Sequence, residues 1–291
     1  MPRGGLSQSS LPSARKVSFE VHHKHSKNNK DGLPITLMVM QFGQFLDHDL
    51  SLTPERELHC CSDDVLAEDA TSDPELRFCF NIDIDQNDLF YSKRSSCHPF
   101  TRSDSICTDS GKREQFNLLT SFIDGSNVYG SDNRRATGLR LMKDGLLKTH
   151  RLGPTMPTAA HINITESITN NGEELVAGDI RAVEQPGLAS MHSLFLNEHN
   201  RVARAVKAAD TSMTDEQIYQ HARRIVIAEL QNIVYSEFLP VVLGPAAMEQ
   251  FKLKVSDNLS TYDNTVDPSI SNEFATFAFR FGHALIPNFL R

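Results

Sequence analysis

No run of about 18 or more apolar residues occurs in the 291-residue sequence, so inspection gives no transmembrane span. Positive charge is not in excess. The 29 Lys and Arg stand against 37 Asp and Glu, and the net charge of −8 argues against generic nucleic-acid binding. The first residues, Met1-Pro2-Arg3-Gly4-Gly5, lack the apolar core of a signal peptide. Cysteine is missing outside one stretch that holds Cys60, Cys61, Cys79, Cys97 and Cys107, and these lack the paired spacing of a zinc site. Strand-like alternation is scarce, and there are no internal repeats or low-complexity tracts.

What is present is the composition of a soluble globular protein, 39% apolar and 23% charged, with length for one large domain or two ordinary ones. Clustered cysteines in a polar, Ser/Asp-rich segment read as disulfides, which require an oxidising compartment. A secreted or lumenal protein is expected, with its targeting segment outside this chain. Five cysteines are an odd number. One is therefore free, pairs between chains to give an oligomer, or has a partner elsewhere. Asn163 and Asn258 begin Asn-x-Ser/Thr acceptor motifs, which carry little weight alone. The basic cluster from His22 to Lys30 reads as a solvated loop.

Residues 1–32 are polar and are expected to be irregular. Leu33 to Asp49 reads as a helix with Pro34 in its first turn. Residues 51–115 form a long cross-linked loop segment, and residues 150–178 are again loop-like. The second half is helical. Leu188, Met191, Phe195 and Val202 make one stripe. Thr214 and Gln217 suit a capping box, followed by Ile218, Ala222 and Ile225, then Ile227, Leu230 and Val234 towards Pro240. Phe274 to Leu285 reads as a third helix. The expected fold class is mainly α, with long disulfide-linked loops.

Four segments carry candidate chemistry. In the first, Gln44 and His48 share one helix face, while Asp47 and Asp49 point to different sides. Its bland alternative is a salt-bridged helix end. In the second, Thr120, Phe122 (through its carbonyl), Asp124 and Ser126 alternate oxygen ligands suited to a hard cation, to which Asp49 could add a carboxylate. Its bland alternative is a plain turn. In the third, Arg181 and Glu184 lie three apart, either as an ion pair or as charges aimed into a pocket. In the fourth, His283 stands among aromatics, either as a core histidine or as an axial haem ligand.

Together and in this order, GQFLDHDL, REQFNLLTSFIDGSNVYGS, GDIRAVEQPGLASMHSLFLNEHNR and FRFGHALI resemble the signatures of the animal haem peroxidase family, of the peroxidase–cyclooxygenase superfamily. LPSARKVS resembles the start of the family's domain. The look is nearest to invertebrate and peroxidasin-type members. The resemblance implies a flexible arm at 1–10 and the N-terminal portion of one peroxidase domain at 11–291. It implies His48 as the distal acid–base group, Arg181 as the distal arginine, and Gln44 as a hydrogen-bonding partner of peroxide or halide. His283 would be the proximal ligand of haem b, and Asp47 and Glu184 would be carboxylates able to form ester links to it. It also implies a Ca2+ site at Asp49, Thr120, Phe122, Asp124 and Ser126. The expected substrates are hydrogen peroxide and a small electron donor. Gln185 occupies a position where some members carry a methionine that forms a sulfonium link. Bromide, iodide, thiocyanate or phenols are therefore expected ahead of chloride. The sequence ends shortly after His283, so an incomplete haem cleft is expected. Two alternatives remain: an inactive, truncated binding or matrix module, and a fatty-acid oxygenase of the same superfamily.

Overall fold

The computed structural model describes residues 11–23, 35–56, 58, 60–61, 78–91, 96–107, 111, 113–163, 172–255 and 262–287. Pro34, Lys24 to Lys30 and Asn258 thus lie outside the described residues, as does the expected arm at 1–10. The chain divides into two compact units, residues 1–34 with 53–116, and residues 35–52 with 117–291.

The first unit begins with a helix where irregular chain is expected, α1 (Ala14–His23). One ion pair anchors it. Arg15 Nε donates to Asp88 Oδ2 at 2.6 Å, and Nη2 donates to Oδ1 at 3.2 Å, with the guanidinium lying over the Phe90 and Tyr91 rings. Such a fork-and-stack contact fixes a polar helix that its own apolar pattern does not announce. The remainder is short antiparallel pairs: β1 (Ile82–Asp83) with β2 (Cys97–His98), and β3 (Ser105–Cys107) with β4 (Arg113–Gln115). Two disulfides, Cys60–Cys79 and Cys61–Cys97, staple this loop-rich segment, as its cysteine content implies. Cys107 lies on β3.

The second unit is helical. α2 (Met38–Leu50) buries Phe42, Phe45, Leu46 and Leu50. They meet α6 (Pro186–Ala209), where Leu188, Met191, Phe195 and Val202 form the expected stripe. Phe45 stacks on Phe195 with ring centroids 5.0 Å apart, and its ring is met edge-on by His192. Between α2 and α6 in sequence come α3 (Ser126–Tyr129), α4 (Asn133–Leu139) and α5 (Ala159–Ile162). Exposed Asn163 ends α5 in the left-handed conformation that asparagine tolerates.

The capping box at Thr214 and Gln217 opens α7 (Asp215–Ile233). Its buried line is Ile218, Ala222, Val226 and Leu230, continued by Val234 and Phe238 through a π-turn at Val234–Phe238. Ile225, expected on that line, is exposed because it falls one residue out of the four-residue spacing. α8 (Leu239–Gln250) follows, broken at Gly244 before Pro245. Taken across the Gly244 break, the helical run Asp215–Gln250 is apolar and long enough to cross a membrane by length and composition alone, although no unbroken apolar run is that long. One face of it packs on protein along the line just described.

The expected third helix is not continuous. α9 (Asn272–Thr276) stops at Phe277, and a 3-10 helix, Ala278–Leu285, takes over. Neither buries a residue, so no packing face offsets the cost of a regular α-helix across this stretch.

Candidate functional site

The last two turns of α2 carry the site. A cavity of about 150 Å³ is lined by Gln44, Asp47, His48, Glu184, Arg280 and His283, among others. Gln44 Nε2 donates to Glu184 Oε2 at 2.9 Å, and His48 Nε2 lies 4.0 Å from the same oxygen. Gln185 Nε2 donates to Gln41 Oε1 at 2.6 Å and Gln44 Oε1 at 3.0 Å, so a chain of amides fixes this wall. Asp47 Oδ1 accepts from Ser51 Oγ at 3.1 Å, and Oδ2 accepts from Arg280 Nη1 at 3.2 Å.

His48 is 4% exposed. Burial, then the charge of Arg181, lowers its pKa to about 3, so the ring is neutral at ordinary pH. Arg181 itself does not line the cavity. Residues 179–185 are turns rather than helix, and the expected pairing of Arg181 with Glu184 does not form. Arg181 instead forks onto Asp179. Nε donates to Oδ1 and Nη2 to Oδ2, each at 2.8 Å, and Nη2 also donates to the Ser51 carbonyl at 3.0 Å.

Asp47 and Asp49 part as helical geometry requires. Asp49 faces the Thr120–Ser126 loop. Its Oδ1 accepts from Ser126 Oγ at 3.0 Å and Asn127 N at 3.3 Å, and its Oδ2 accepts from Gly125 N at 3.1 Å. Asp124 is drawn in from the other side, with Thr120 Oγ1 donating to Oδ2 at 2.6 Å and Ser126 N to Oδ1 at 3.0 Å. Burial, then the like charge of Asp124, pushes the Asp49 carboxyl up to about 6. Two carboxylates and two hydroxyls brought together this way suit a hard cation. The Phe122 side chain is exposed, which leaves only its main chain for a ligand role. Among the described residues no group of three or more His, Cys, Asp or Glu has metal-holding geometry, so this loop depends on hydroxyl and carbonyl oxygens to complete a shell.

Gly178 joins the loop to the Arg181 turn. A Cβ on it would lie 2.3 Å from the Ser126 carbonyl oxygen and 2.5 Å from Gly130 N, so only glycine permits the approach. Asp179 N then donates to the Asn127 carbonyl at 3.0 Å, and Asn127 Nδ2 to the Phe45 carbonyl at 2.7 Å. The loop, the turn and α2 thus share one hydrogen-bonded backbone seam. Asp179, Arg280 and Gln41 are absent from the residues expected from sequence. The only signal for Asp179 is its place two residues before Arg181.

Residues 1–291 match the family model for animal haem peroxidase. The chain belongs to the animal haem peroxidase family. Myeloperoxidase of Mus musculus is 38% identical over 96% of this chain and 40% of its own length. The peroxidasin homolog pxn-1 of Caenorhabditis elegans is 36% identical over 95% of this chain and 23% of its own. Peroxidase A from Dictyostelium discoideum superposes with a TM-score of 0.66 at 27% identity, covering 85% of this chain and 46% of that one. The mainly helical, disulfide-linked architecture expected from sequence is therefore that of a peroxidase fold. The chain spans about two fifths or less of the length of these curated relatives.

The cavity's donor set fits haem in kind. It offers a histidine from each wall, two carboxylates at Asp47 and Glu184, and aromatic surface at Phe279 and Phe281. Its volume is below the roughly 300–1,000 Å³ of pockets that enclose cofactor-sized ligands. The 3-10 helix must stand further from α2 to admit a macrocycle, and the Arg280–Asp47 ion pair is the contact that would open.

Proposed function

We propose that this chain forms the distal half, and part of the proximal half, of a haem-dependent peroxidase that reduces hydrogen peroxide and oxidises a small donor. The observation that carries this reading is the convergence of Gln44, Asp47, His48, Glu184 and His283 on one cavity in a member of this family. Haem, when bound, supplies the redox-active iron for both half-reactions. His283 would hold that iron, and Asp47 and Glu184 would tether the macrocycle edge through their carboxylates.

The chain's own residues then handle protons and charge. Neutral His48 takes a proton from peroxide and returns it to the departing oxygen, general base then general acid. Gln44, held by Glu184 and Gln185, presents a fixed amide to the same space. Arg181 carries a permanent positive charge beside His48 and would have to turn from Asp179 towards the cavity to stabilise negative charge developing on oxygen. The Asp49–Asp124 loop would bind Ca2+ and brace the end of α2 that carries His48. Gln185 favours bromide, iodide, thiocyanate or phenolic donors over chloride. The two disulfides support an oxidising, secreted or lumenal setting.

Reconstitution with haem tests the proposal. The expected result is a Soret band that shifts on peroxide and recovers with donor, and that is lost in His283→Ala. The volume of the cavity favours one competing reading, an inactive binding or matrix module. Folded protein that takes up no haem would decide for that module. His48→Ala consuming peroxide at the original rate would remove His48 from the mechanism.

A further inference from the structure

We infer that Asp179 is the positioning residue of this site: its buried carboxylate directs the single ring proton of His48 to Nδ1 and leaves the Nε2 lone pair facing the cavity. The inference deepens the peroxidase reading, because it specifies which nitrogen of His48 is free to receive the proton of peroxide.

Asp179 is 3% exposed. Three donors from one residue hold its carboxylate: the Arg181 main-chain amide and Nε to Oδ1, and Nη2 to Oδ2, all at 2.8 Å. Its own amide is tied to the Asn127 carbonyl, so backbone and side chain are both fixed. His48 Nδ1 is buried without a hydrogen-bond partner, and the carboxylate oxygen that faces it is Asp179 Oδ1 at 3.9 Å. That gap is longer than a hydrogen bond and too short to seat a bridging water, so the carboxylate acts through its field.

The other nitrogen meets a weaker competitor. Nε2 lies 4.0 Å from Glu184 Oε2, but the Glu184 side chain is 55% exposed and that oxygen already accepts from Gln44. Solvent screens a half-exposed carboxylate far more than a buried one. The two nitrogens therefore see unequal negative charge, and the proton belongs on Nδ1. Which nitrogen carries the proton in a histidine is set by what the other faces.

Nitrogen-15 NMR of the His48 ring in the 291-residue chain, assigned with His48→Gln, is the test. The expected spectrum has a protonated, pyrrole-type Nδ1 and a bare, pyridine-type Nε2. Asp179→Asn keeps the shape but removes the charge, and should populate the Nε2-protonated form. Asp179→Glu should restore Nδ1 protonation at least in part, which a merely space-filling role would not require. In the haem-loaded chain, Asp179→Asn should slow reaction with peroxide by roughly 100-fold, the scale of lost acid–base catalysis. Nε2 protonated in the unaltered chain would overturn the inference without any variant, as would an unchanged tautomer in a folded Asp179→Asn. The spectrum is read without haem, so it stands or falls apart from peroxidase activity.

Discussion

His48 and His283 line one cavity from walls of opposite character. His48 stands on α2, whose last three turns are buried against α6 and whose polar groups are tied to the 120–127 loop and the 178–185 turn. His283 stands on a 3-10 helix with no buried residue, next to Phe277 at 81% exposed. The difference teaches where preorganisation resides. The wall proposed to handle protons is built by the chain's own core, while the wall that would carry the iron ligand has little beneath it. Binding haem on such a scaffold would order the second wall far more than the first.

The largest test of the comparison is acid. Burial lowers the pKa of His192 and of His199, both on the α6 side, to about 4. Each is neutral when folded and charges near pH 6.5 when unfolded. Their contribution is complete above pH 6.5 and is lost as pH falls towards 4, by about 3 kcal/mol for each. Urea unfolding at a series of pH values should show this slope, offset by Asp49, whose carboxyl is pushed up to about 6 and takes its proton in the folded state over the same range, and it should be reduced in His192→Phe. A pH slope unchanged in His192→Phe would refute the assignment.

Truncating one aromatic on each wall is the next step down. Phe45→Ala, at the stacked centre of α2 and α6, should cost about 3–5 kcal/mol, and Phe281→Ala less than about 1 kcal/mol. Comparable losses in thermal melts would mean that the second wall is as well founded as the first. Calcium comes third. At 100-fold excess over its dissociation constant it should stabilise the chain by about 3 kcal/mol, reversed by chelator and absent in Asp124→Asn. A melting temperature indifferent to calcium would remove the cation from the loop. Smallest is Arg280→Ala. Its ion pair with Asp47 is partly exposed, so its loss should cost under about 1 kcal/mol while making haem uptake faster. Slower uptake would contradict the proposed opening.

Much of this was legible in the sequence because local physics decided it. The Thr214–Gln217 box appears as written, and the Leu188-to-Val202 stripe is buried as spaced. The Asp47–His48–Asp49 triplet divides between two faces because helical geometry leaves no alternative. What escaped depends on contacts remote in sequence. α1 is held by Asp88, far along the chain, and is polar in composition. The disulfide pairing is one of many that five cysteines allow. Arg181 is spaced to reach Glu184, but turns replace the helix that spacing presumes, and Asp179 takes the guanidinium. Phe274 to Leu285 has helical spacing but fully buries no residue, and with Phe279 alone of the stretch packed against the core it breaks at Phe277.

The π-turn at Val234–Phe238 sets the phase of everything after it. One extra residue in a turn rotates the following side chains by about 100° relative to an uninterrupted α-helix. With that residue in place, Phe238 swings onto Phe42, ring centroids 5.5 Å apart, and settles over Gly43. Closing this turn into regular α-helix with no residue removed would leave composition and length untouched. It would nonetheless turn Phe238 away from α2 and dial α8 around its axis, a frameshift in three dimensions rather than in codons.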